Sequence, residues 1–259
     1  MVSFVLPRLL NPAVSIRRSL SVAERNITAL RSLYWLVLLS GFLEPLLYLL
    51  AIGVGVGSLI GTLTLPDGRV VEYATFVAPA MLASSAMNAA IAEAFNFFGR
   101  MKYQKLYDAV LATPVRPFEI ALGELSWAMV RGTLYSAAFL GVMVAMGLTT
   151  AGRAGAAFPA AVLTGFAFGA LGMAMATFMR SWQDFDLLGS VQFAMFLFSG
   201  TFVPAESYPA ILRWVVEATP LYRSVDLMRG IALGGAGWNQ VLDVAYLIGM
   251  TVLGLWLAG

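Results

Sequence analysis

The stretch FSGTFVPAESYPAILRWVVEATPLYRSVDLMRG, residues 198–230, decides how the chain is organised, because it fits neither a membrane span nor a free polar loop. Pro204, Pro209 and Pro220 divide it into short segments. Each segment holds at most about a dozen apolar-compatible residues, whereas a spanning helix needs about 20. Broken backbone at membrane depth is tolerated where protein or a cavity covers it. We therefore predict a re-entrant pair of short helices over 205–232, beside a gated cavity on the outer side.

The composition of the whole chain is that of a membrane protein. Of its 259 residues, 60% are hydrophobic and 12% are charged, whereas soluble domains carry about 25% charged residues. The absence of Cys and His excludes thiolate nucleophiles, imidazole bases and the usual zinc ligands. Neither lysine, Lys102 or Lys105, follows a glycine, so no Walker A motif is present. We therefore expect neither an enzyme nor an internal ATPase, and the net charge of +2 does not indicate nucleic-acid binding.

Six stretches are long and apolar enough to cross the roughly 30 Å hydrocarbon layer of a bilayer. They lie at about residues 33–57, 74–98, 119–147, 157–179, 184–204 and 240–258. The most charged connection lies between the second and third stretches. The sequence thus predicts an all-α integral membrane protein with six transmembrane helices and no soluble domain of ordinary size.

The distribution of Lys and Arg predicts the orientation of the chain, because these residues concentrate in cytoplasmic connections. When the N-terminus is placed inside, ten basic side chains fall on the inner side and five on the outer side, while Arg131 lies within a span. Both the N-terminus and the C-terminus are therefore predicted to be cytoplasmic.

Residues 1–32 precede the first span and carry one apolar stripe. Its members Ile16, Leu20, Ala23, Ile27 and Leu30 recur at helical spacing, and the arginines lie mostly off the stripe. We interpret this segment as an amphipathic helix on the cytoplasmic leaflet, with its arginines among anionic headgroups. A solvated leader is the alternative.

A second amphipathic helix is predicted at 101–112, in the charged cytoplasmic connection. Its apolar stripe consists of Tyr103, Leu106, Tyr107, Val110 and Leu111, at i, i+3, i+4, i+7 and i+8. Thr113 and Pro114 follow and end the helix. A stripe of this kind suits a helix that docks in the groove of a soluble partner, and an ordinary interfacial connector is the alternative.

Four charged residues lie within the predicted spans: Glu44, Glu93, Glu124 and Arg131. A charge at the bilayer centre costs about 2.5–3.5 kcal/mol on insertion scales, so such side chains face the protein interior or water. They are candidates for a polar substrate path. The alternative is that they lie near a membrane surface or pair only to hold helices together.

The chain resembles the type-2 ATP-binding-cassette exporter permeases, in particular those of the nodulation-type lipo-oligosaccharide exporters. The resemblance extends from about residue 20 to 258. It rests on the stretches EPLLYLLAIGVGVG, YATFVAPAMLASSAMNAA, YDAVLATPVRPFEIALGELSWA and the 198–230 stretch itself. The family pattern closes the fifth span with Gly-x-x-x-Pro and ends the following hairpin in Asp-x-x-Arg, which are here Gly200, Pro204, Asp226 and Arg229.

The resemblance implies that 101–112 is a coupling helix and that the re-entrant pair is an external gate. The gate residues it implies are Gly200, Pro204, Pro209, Pro220, Asp226 and Arg229. It also implies that two permease chains, identical or paralogous, enclose a pathway, and that separate ATPase subunits bind ATP and Mg²⁺, so this chain holds no cofactor. The implied location is the cytoplasmic membrane of a bacterium, among its lipids.

The expected function is ATP-driven export of an amphiphile, such as a glycolipid, a lipid-linked saccharide or a hydrophobic drug. An ion-coupled carrier that uses Glu44 or Glu93 as a proton site is the alternative, and it predicts transport driven by a pH gradient without ATP. A scaffold that only recruits a peripheral complex is the third hypothesis, and it predicts no substrate-stimulated ATP hydrolysis.

Overall fold

A computed structural model of the protein describes residues 46–65, 68–235 and 237–258, together with Ser21, Glu24 and Leu43. The predicted interfacial helix, most of the first predicted span and Glu44 lie outside the described residues. The chain is helical from Leu46 to Ile60, with a π-helical segment at Ala51–Val56 and a last turn, α1, at Gly57–Ile60.

A two-stranded hairpin corrects the expectation of an entirely helical protein. Strands β1 (Thr62–Thr64) and β2 (Val70–Glu72) pair antiparallel, with Leu63 opposite Val71. Their β-branched Thr and Val residues favour strands, and Gly68 adopts a φ of +83° that suits glycine in the connecting turn. Three-residue strands are too short to display alternation, so the sequence indicated only a polar turn there.

Eight further helices follow the hairpin within the described residues. They are α2 (Tyr73–Lys102), α3 (Leu106–Leu111), α4 (Pro117–Ala145), α5 (Ala151–Phe178), α6 (Gln183–Leu197), α7 (Ala210–Ala218), α8 (Pro220–Leu233) and α9 (Trp238–Ala258). By length and composition α2, α4, α5 and α9 can cross a membrane. They correspond to the second, third, fourth and sixth predicted spans. Helix α5 begins before the predicted residue 157 because the Thr150 hydroxyl accepts a hydrogen bond from the Arg153 backbone N–H (3.4 Å) and caps it.

Helix α6 is shorter than the predicted fifth span, 184–204. Its 15 residues measure about 22 Å, which is less than the roughly 30 Å hydrocarbon layer. The helix stops at Leu197 because Gly200 turns the chain with a φ of +70°. The Ser199 hydroxyl also donates a hydrogen bond to the Phe196 carbonyl (3.0 Å).

Helix α5 lies at the centre of the bundle and packs against α2, α4, α8 and α9. Small residues allow the close approach. A Cβ on Gly172 would lie 2.9 Å from the Cβ of Ala94 in α2. A Cβ on Gly254 of α9 would lie 2.6 Å from the carbonyl carbon of Ala170 in α5, so the backbones of these two helices touch.

The loops gather at two opposite ends of the bundle. One end, here called the β end, carries the hairpin, the α4–α5 connection and the end of α8. There Arg69 donates to the Leu233 carbonyl (3.0 Å) and Thr149 to the Ala232 carbonyl (3.3 Å). The other end, called the α3 end, carries α3 and the α5–α6 connection.

Helices α7 and α8, with 9 and 14 residues, form a pair beside α9 instead of one continuous rod. Gln240 near the start of α9 donates to the Asp226 carboxylate (3.1 Å), and the Tyr246 hydroxyl donates to the Ala218 carbonyl (3.0 Å). Since an α-helix rises about 1.5 Å per residue, the α7–α8 junction lies about 12 Å below the start of α9. The α7–α8 pair therefore extends along less than half the length of α9 before the chain turns back.

Candidate functional site

A groove runs between α2 and α6. It contains a cavity of about 290 Å³ and a more open one of about 440 Å³ toward the α3 end. Asn88, Gly189 and Gln192 border both cavities. Gly189 keeps α6 narrow at this level, and no atom lies within 4 Å of a Cβ built on it. The two cavities therefore form one continuous groove.

Uncharged polar groups and aromatic rings line most of the groove. Ser85, Asn88 and Asn96 lie on one face of α2, and the Gln192 side chain of α6 donates a hydrogen bond to the Asn88 side chain (2.5 Å). The rings include Tyr48, Phe95, Phe139, Phe185, Phe193 and Phe196. Hydroxyl, amide and aromatic groups together suit a ligand that is part polar and part apolar.

Helix α6 is the loosely packed wall of this groove. Phe185 and Leu188 are its buried residues, whereas Leu187 is 70% exposed and Phe193 61% exposed. Near the β end, Arg229 of α8 donates to the Gly200 carbonyl just beyond α6 (2.9 Å). At the α3 end, a cluster of aromatic rings packs against the start of α6.

That ring cluster, here called the aromatic hub, consists of Phe95, Phe98, Tyr103, Trp182 and Phe185. The Trp182 and Tyr103 rings stack with centroids 4.9 Å apart and planes 16° apart. Trp182 also contacts Phe95 at 4.5 Å and Phe98 at 5.1 Å between centroids. The hub joins the end of α2, the chain leading into α3 and the start of α6.

Helix α3 lies within the predicted 101–112 and is six residues long. The predicted stripe does not face one way. Tyr107 is buried against Phe97, with ring centroids 5.5 Å apart, whereas Leu111 and Tyr103 are exposed. Leu106 and Val110 are half-buried, and Pro114 is exposed. The exposed surface of α3 therefore includes Leu111 but not Tyr107.

The predicted intramembrane charges Glu93, Glu124 and Arg131 meet in one ion cluster between α2 and α4. Arg100 bridges Glu124 (2.5 Å) and Glu93 (3.6 Å), and Glu93 pairs in turn with Arg131. Arg131 also donates to the Tyr135 hydroxyl (3.3 Å). Glu93 and Glu124 border a gap of about 10 Å³, which is too small for a substrate. The pairing favours the alternative in which these charges hold helices together.

The predicted gate residues are spread from the turn before α7 to the second half of α8. Arg229 donates to the carbonyls of Gly200 and Phe76 (2.9 and 3.3 Å), and its guanidinium lies 3.8 Å from the Phe76 ring centroid. Asp226 accepts from Gln240, as described above.

The three predicted prolines mark the segment boundaries of this region. Pro204 precedes the 3₁₀ turn Ala205–Ser207, Pro209 precedes α7, and Pro220 is the first residue of α8. Proline is favoured at the first helical position, where its missing N–H costs nothing. The Thr219 hydroxyl caps α8 by accepting from the Tyr222 N–H (3.3 Å).

Sequence reasoning missed Asn88, Gln192, Trp182 and Arg100. Arg100 was counted only as a topology signal, although it lies about two helical turns from Glu93 on the same face, at i+7. Asn88 and Asn96 fall eight residues apart in an apolar helix, which is a polar stripe that could have indicated the groove. Nothing in the local sequence pairs Trp182 with Tyr103, because the two lie on different connections between helices.

Comparison with known proteins gives consistent results. Residues 20–233 match the ABC-2 type transporter family. The chain is 34% identical to Nodulation protein J of Rhizobium leguminosarum bv. trifolii over 232 residues, which cover 89% of this chain and 85% of that protein. It is 32% identical to Nodulation protein J of Rhizobium meliloti (strain 1021) over 217 residues, covering 83% and 81%. The family match extends through the groove, the ion cluster and the α7–α8 pair, so the chain belongs to the ABC-2 type transporter family and is a membrane permease of that kind.

Proposed function

We propose that this chain is the membrane subunit of an ATP-driven exporter, that a separate ABC ATPase docks on α3, and that an amphiphile passes along the α2–α6 groove. The observation that carries the proposal is the groove itself, with hydroxyl and amide groups beside aromatic rings in an otherwise apolar helical bundle. Glycolipids, lipid-linked saccharides and hydrophobic drugs share the combination of polar and apolar parts that such a lining accommodates.

The open side of the groove supports a pathway between two permease chains. The outward face of α6 carries Leu187, Val191, Phe193 and Leu197, all exposed in the single chain. An apolar face of this size beside a polar groove is expected to lie against lipid or protein. A second permease, identical or paralogous, would cover it and complete the pathway, in the cytoplasmic membrane of a bacterium with both termini inside.

The proposed mechanism divides the work between the chains. The ATPase binds ATP and Mg²⁺ and moves α3, while this chain supplies the groove, and the α7–α8 pair with Arg229 and Gly200 closes its outer side. The ion cluster keeps α2 and α4 together during the movement, because separating its buried charges would leave them unpaired. A proton site needs a carboxylate that is free to bind a proton. Glu93 is instead paired with Arg100 and Arg131, which argues against the ion-coupled alternative at this residue.

The test combines copurification with transport. The wild-type chain should copurify with an ABC ATPase of the bacterium that makes it, and liposomes holding both should move a fluorescently labelled glycolipid only with ATP. Leu106→Asp with Leu111→Asp should abolish copurification by placing charge on the docking surface, and Ala151→Asp, an exposed position at the opposite β end, is the matched control.

Two results would contradict the proposal. ATPase copurification retained by the double variant would refute docking on α3. Movement of the labelled glycolipid driven by a pH gradient without ATP would instead favour the ion-coupled carrier.

A further inference from the structure

The aromatic hub connects the predicted docking helix to the wall of the groove. We infer that Trp182 is the positioning residue through which movement of α3 reaches α6. The inference rests on the proposed function, since it needs a partner that moves α3. It assigns to the α5–α6 connection a role beyond that of linking two helices.

Trp182 is attached firmly to α6. It is the residue immediately before the helix. The Asp184 carboxylate accepts hydrogen bonds from the backbone N–H groups of Arg180 (2.6 Å) and Ser181 (3.1 Å), which ties the connection to the first turn of α6. These hydrogen bonds keep the pKa of Asp184 below its usual value, so the tie persists at neutral pH. A displacement of the Trp182 ring is therefore a displacement of the start of α6.

The Trp182 ring lies on the part of the chain that leads into α3. Its stacking partner Tyr103 directly follows α2, three residues before α3. Gly99 leaves room for the indole, because a Cβ at that position would lie 3.3 Å from Trp182 Cη2. Two rigid rings in van der Waals contact resist compression along the stacking direction, so the stack can transmit a push from one ring to the other. Movement of α3 therefore pushes on Trp182 before it reaches any residue of the groove.

Helix α6 can respond because few contacts restrain it besides the hub: the Gln192–Asn88 hydrogen bond (2.5 Å) and the buried Leu188 lie farther along the helix. Two of its side chains are buried, and Phe185, one of the two, belongs to the hub itself. The Arg229–Gly200 contact restrains the opposite end, just beyond the helix. Pressure at Trp182 would thus swing the α3 end of α6 relative to α2 and change the width of the open cavity.

The test measures that width directly. The chain has no cysteine, so Asn96→Cys and Asp186→Cys, on opposite walls of the open cavity, can be cross-linked with a short bis-maleimide without removing native thiols. The assembled transporter with its ATPase is treated in liposomes with and without ATP, and mass spectrometry quantifies the cross-linked peptide within one chain. We expect the yield to depend on ATP in the Cys-pair protein with native Trp182, and the dependence to be lost with Trp182→Ala.

Tyr103→Leu provides a second variant that keeps the fold, because Tyr103 is 56% exposed. It should also lose the ATP-dependent change, whereas Trp182→Phe should restore it by keeping a ring in the hub. ATPase copurification and ATP hydrolysis should persist in Trp182→Ala, so that hydrolysis continues without movement of a labelled glycolipid. Phe178→Ala, an exposed aromatic at the same end, is the matched control and should keep the change.

The outcomes separate the two proposals. If Trp182→Ala and Tyr103→Leu keep the ATP-dependent cross-linking, the inference is overturned and the proposed function stands. Loss of the change in Phe178→Ala as well would also overturn it, because the effect would not belong to the hub. If the Cys-pair protein with native Trp182 neither binds an ATPase nor responds to ATP, the proposed function fails and the inference fails with it.

Discussion

Glu124, Arg100, Glu93 and Arg131 alternate in charge across the α2–α4 interface, and each carboxylate in the cluster has an arginine partner. Glu124 is 4% exposed and Glu93 9% exposed at the side chain. Burying four charges costs several kcal/mol per ion unless the partners compensate. The cluster is therefore sensitive to the loss of one member and tolerant of the loss of a matched pair.

We expect Glu124→Leu to lower the free energy of unfolding by on the order of 3 kcal/mol, because Arg100 would lose its shortest ion pair in a buried place. The double variant Glu124→Leu with Arg100→Leu should recover most of this loss, since Glu93 and Arg131 still neutralise each other. Unfolding of the detergent-solubilised protein, followed by tryptophan fluorescence, measures both. Additive losses in the double variant would contradict the pairing.

The sequence could place these charges but not pair them. Glu124 and Arg131 lie seven residues apart on one helix, about 10 Å along its axis, which is too far for a direct contact. Their partners come from α2, and the relative height of α2 and α4 depends on packing between helices that no local pattern records. From the sequence alone, these charges could equally line a substrate path or pair with one another. The ion pairs in the structure favour pairing.

At the scale of elements, α9 and α5 make a contact that depends on one glycine. A Cβ on Gly254 would meet backbone atoms of Ala170 and Leu171, at 2.6 and 2.7 Å. Backbone cannot move aside as a flexible side chain can, so the helices themselves would have to separate.

We expect Gly254→Ala to destabilise the protein by about 1–3 kcal/mol, the usual cost of overpacking, even though alanine favours helices by about 1 kcal/mol over glycine. Gly249→Ala is the matched control on the same helix, because no atom lies within 4 Å of its Cβ position. It should leave thermal stability in detergent unchanged or raise it. Equal effects at the two positions would show that this close approach is wrong.

The elements differ in how well the sequence predicted them. The long helices α2, α4, α5 and α9 follow directly from apolar length. The short elements do not: α6 ends at Leu197 because of the turn at Gly200, and α3 begins at Leu106 after Lys105 adopts a φ of +48°. Turns that need a left-handed residue are decided by one or two positions, whereas hydropathy averages over about 20.

At the scale of the whole molecule, the predicted orientation rests on the distribution of Lys and Arg along the full sequence, ten inside and five outside. The α3 end carries Arg100, Lys102, Lys105, Arg116 and Arg180. The opposite side carries Arg69, Arg153, Arg213, Arg223 and Arg229, so the excess of inner basic residues comes from the five arginines in the sequence of residues 1–32. The chain should therefore insert with the α3 end in the cytoplasm.

Labelling of single cysteines in the cysteine-free chain tests this orientation. Ala151→Cys, exposed at the β end, should react with a membrane-impermeant maleimide in intact cells lacking their outer membrane. Ala112→Cys, exposed at the α3 end, should react only after permeabilisation, which makes each variant the control for the other. The reverse pattern would invert the assigned orientation and remove α3 from the reach of a cytoplasmic ATPase.

The general architecture was predictable because lipid restricts a spanning chain to few solutions, and the 198–230 stretch violates the usual span in a recognisable way. The groove was not predictable in the same manner. The groove exists because α6 packs at a distance from α2, and no local sequence pattern records that distance. Its lining residues Asn88 and Gln192 belong to no recognisable motif.

Because α6 is secured near its ends, at Trp182 and at Gly200, the exposed side chains between them, such as Leu187, Val191 and Phe193, contribute little to folding. Side chains there can be exchanged for larger, smaller or more polar ones with small effect on stability, while the shape offered to a passing molecule changes. Under the proposed function, a few substitutions between Leu187 and Phe196 would therefore change the cargo without first gaining stability elsewhere.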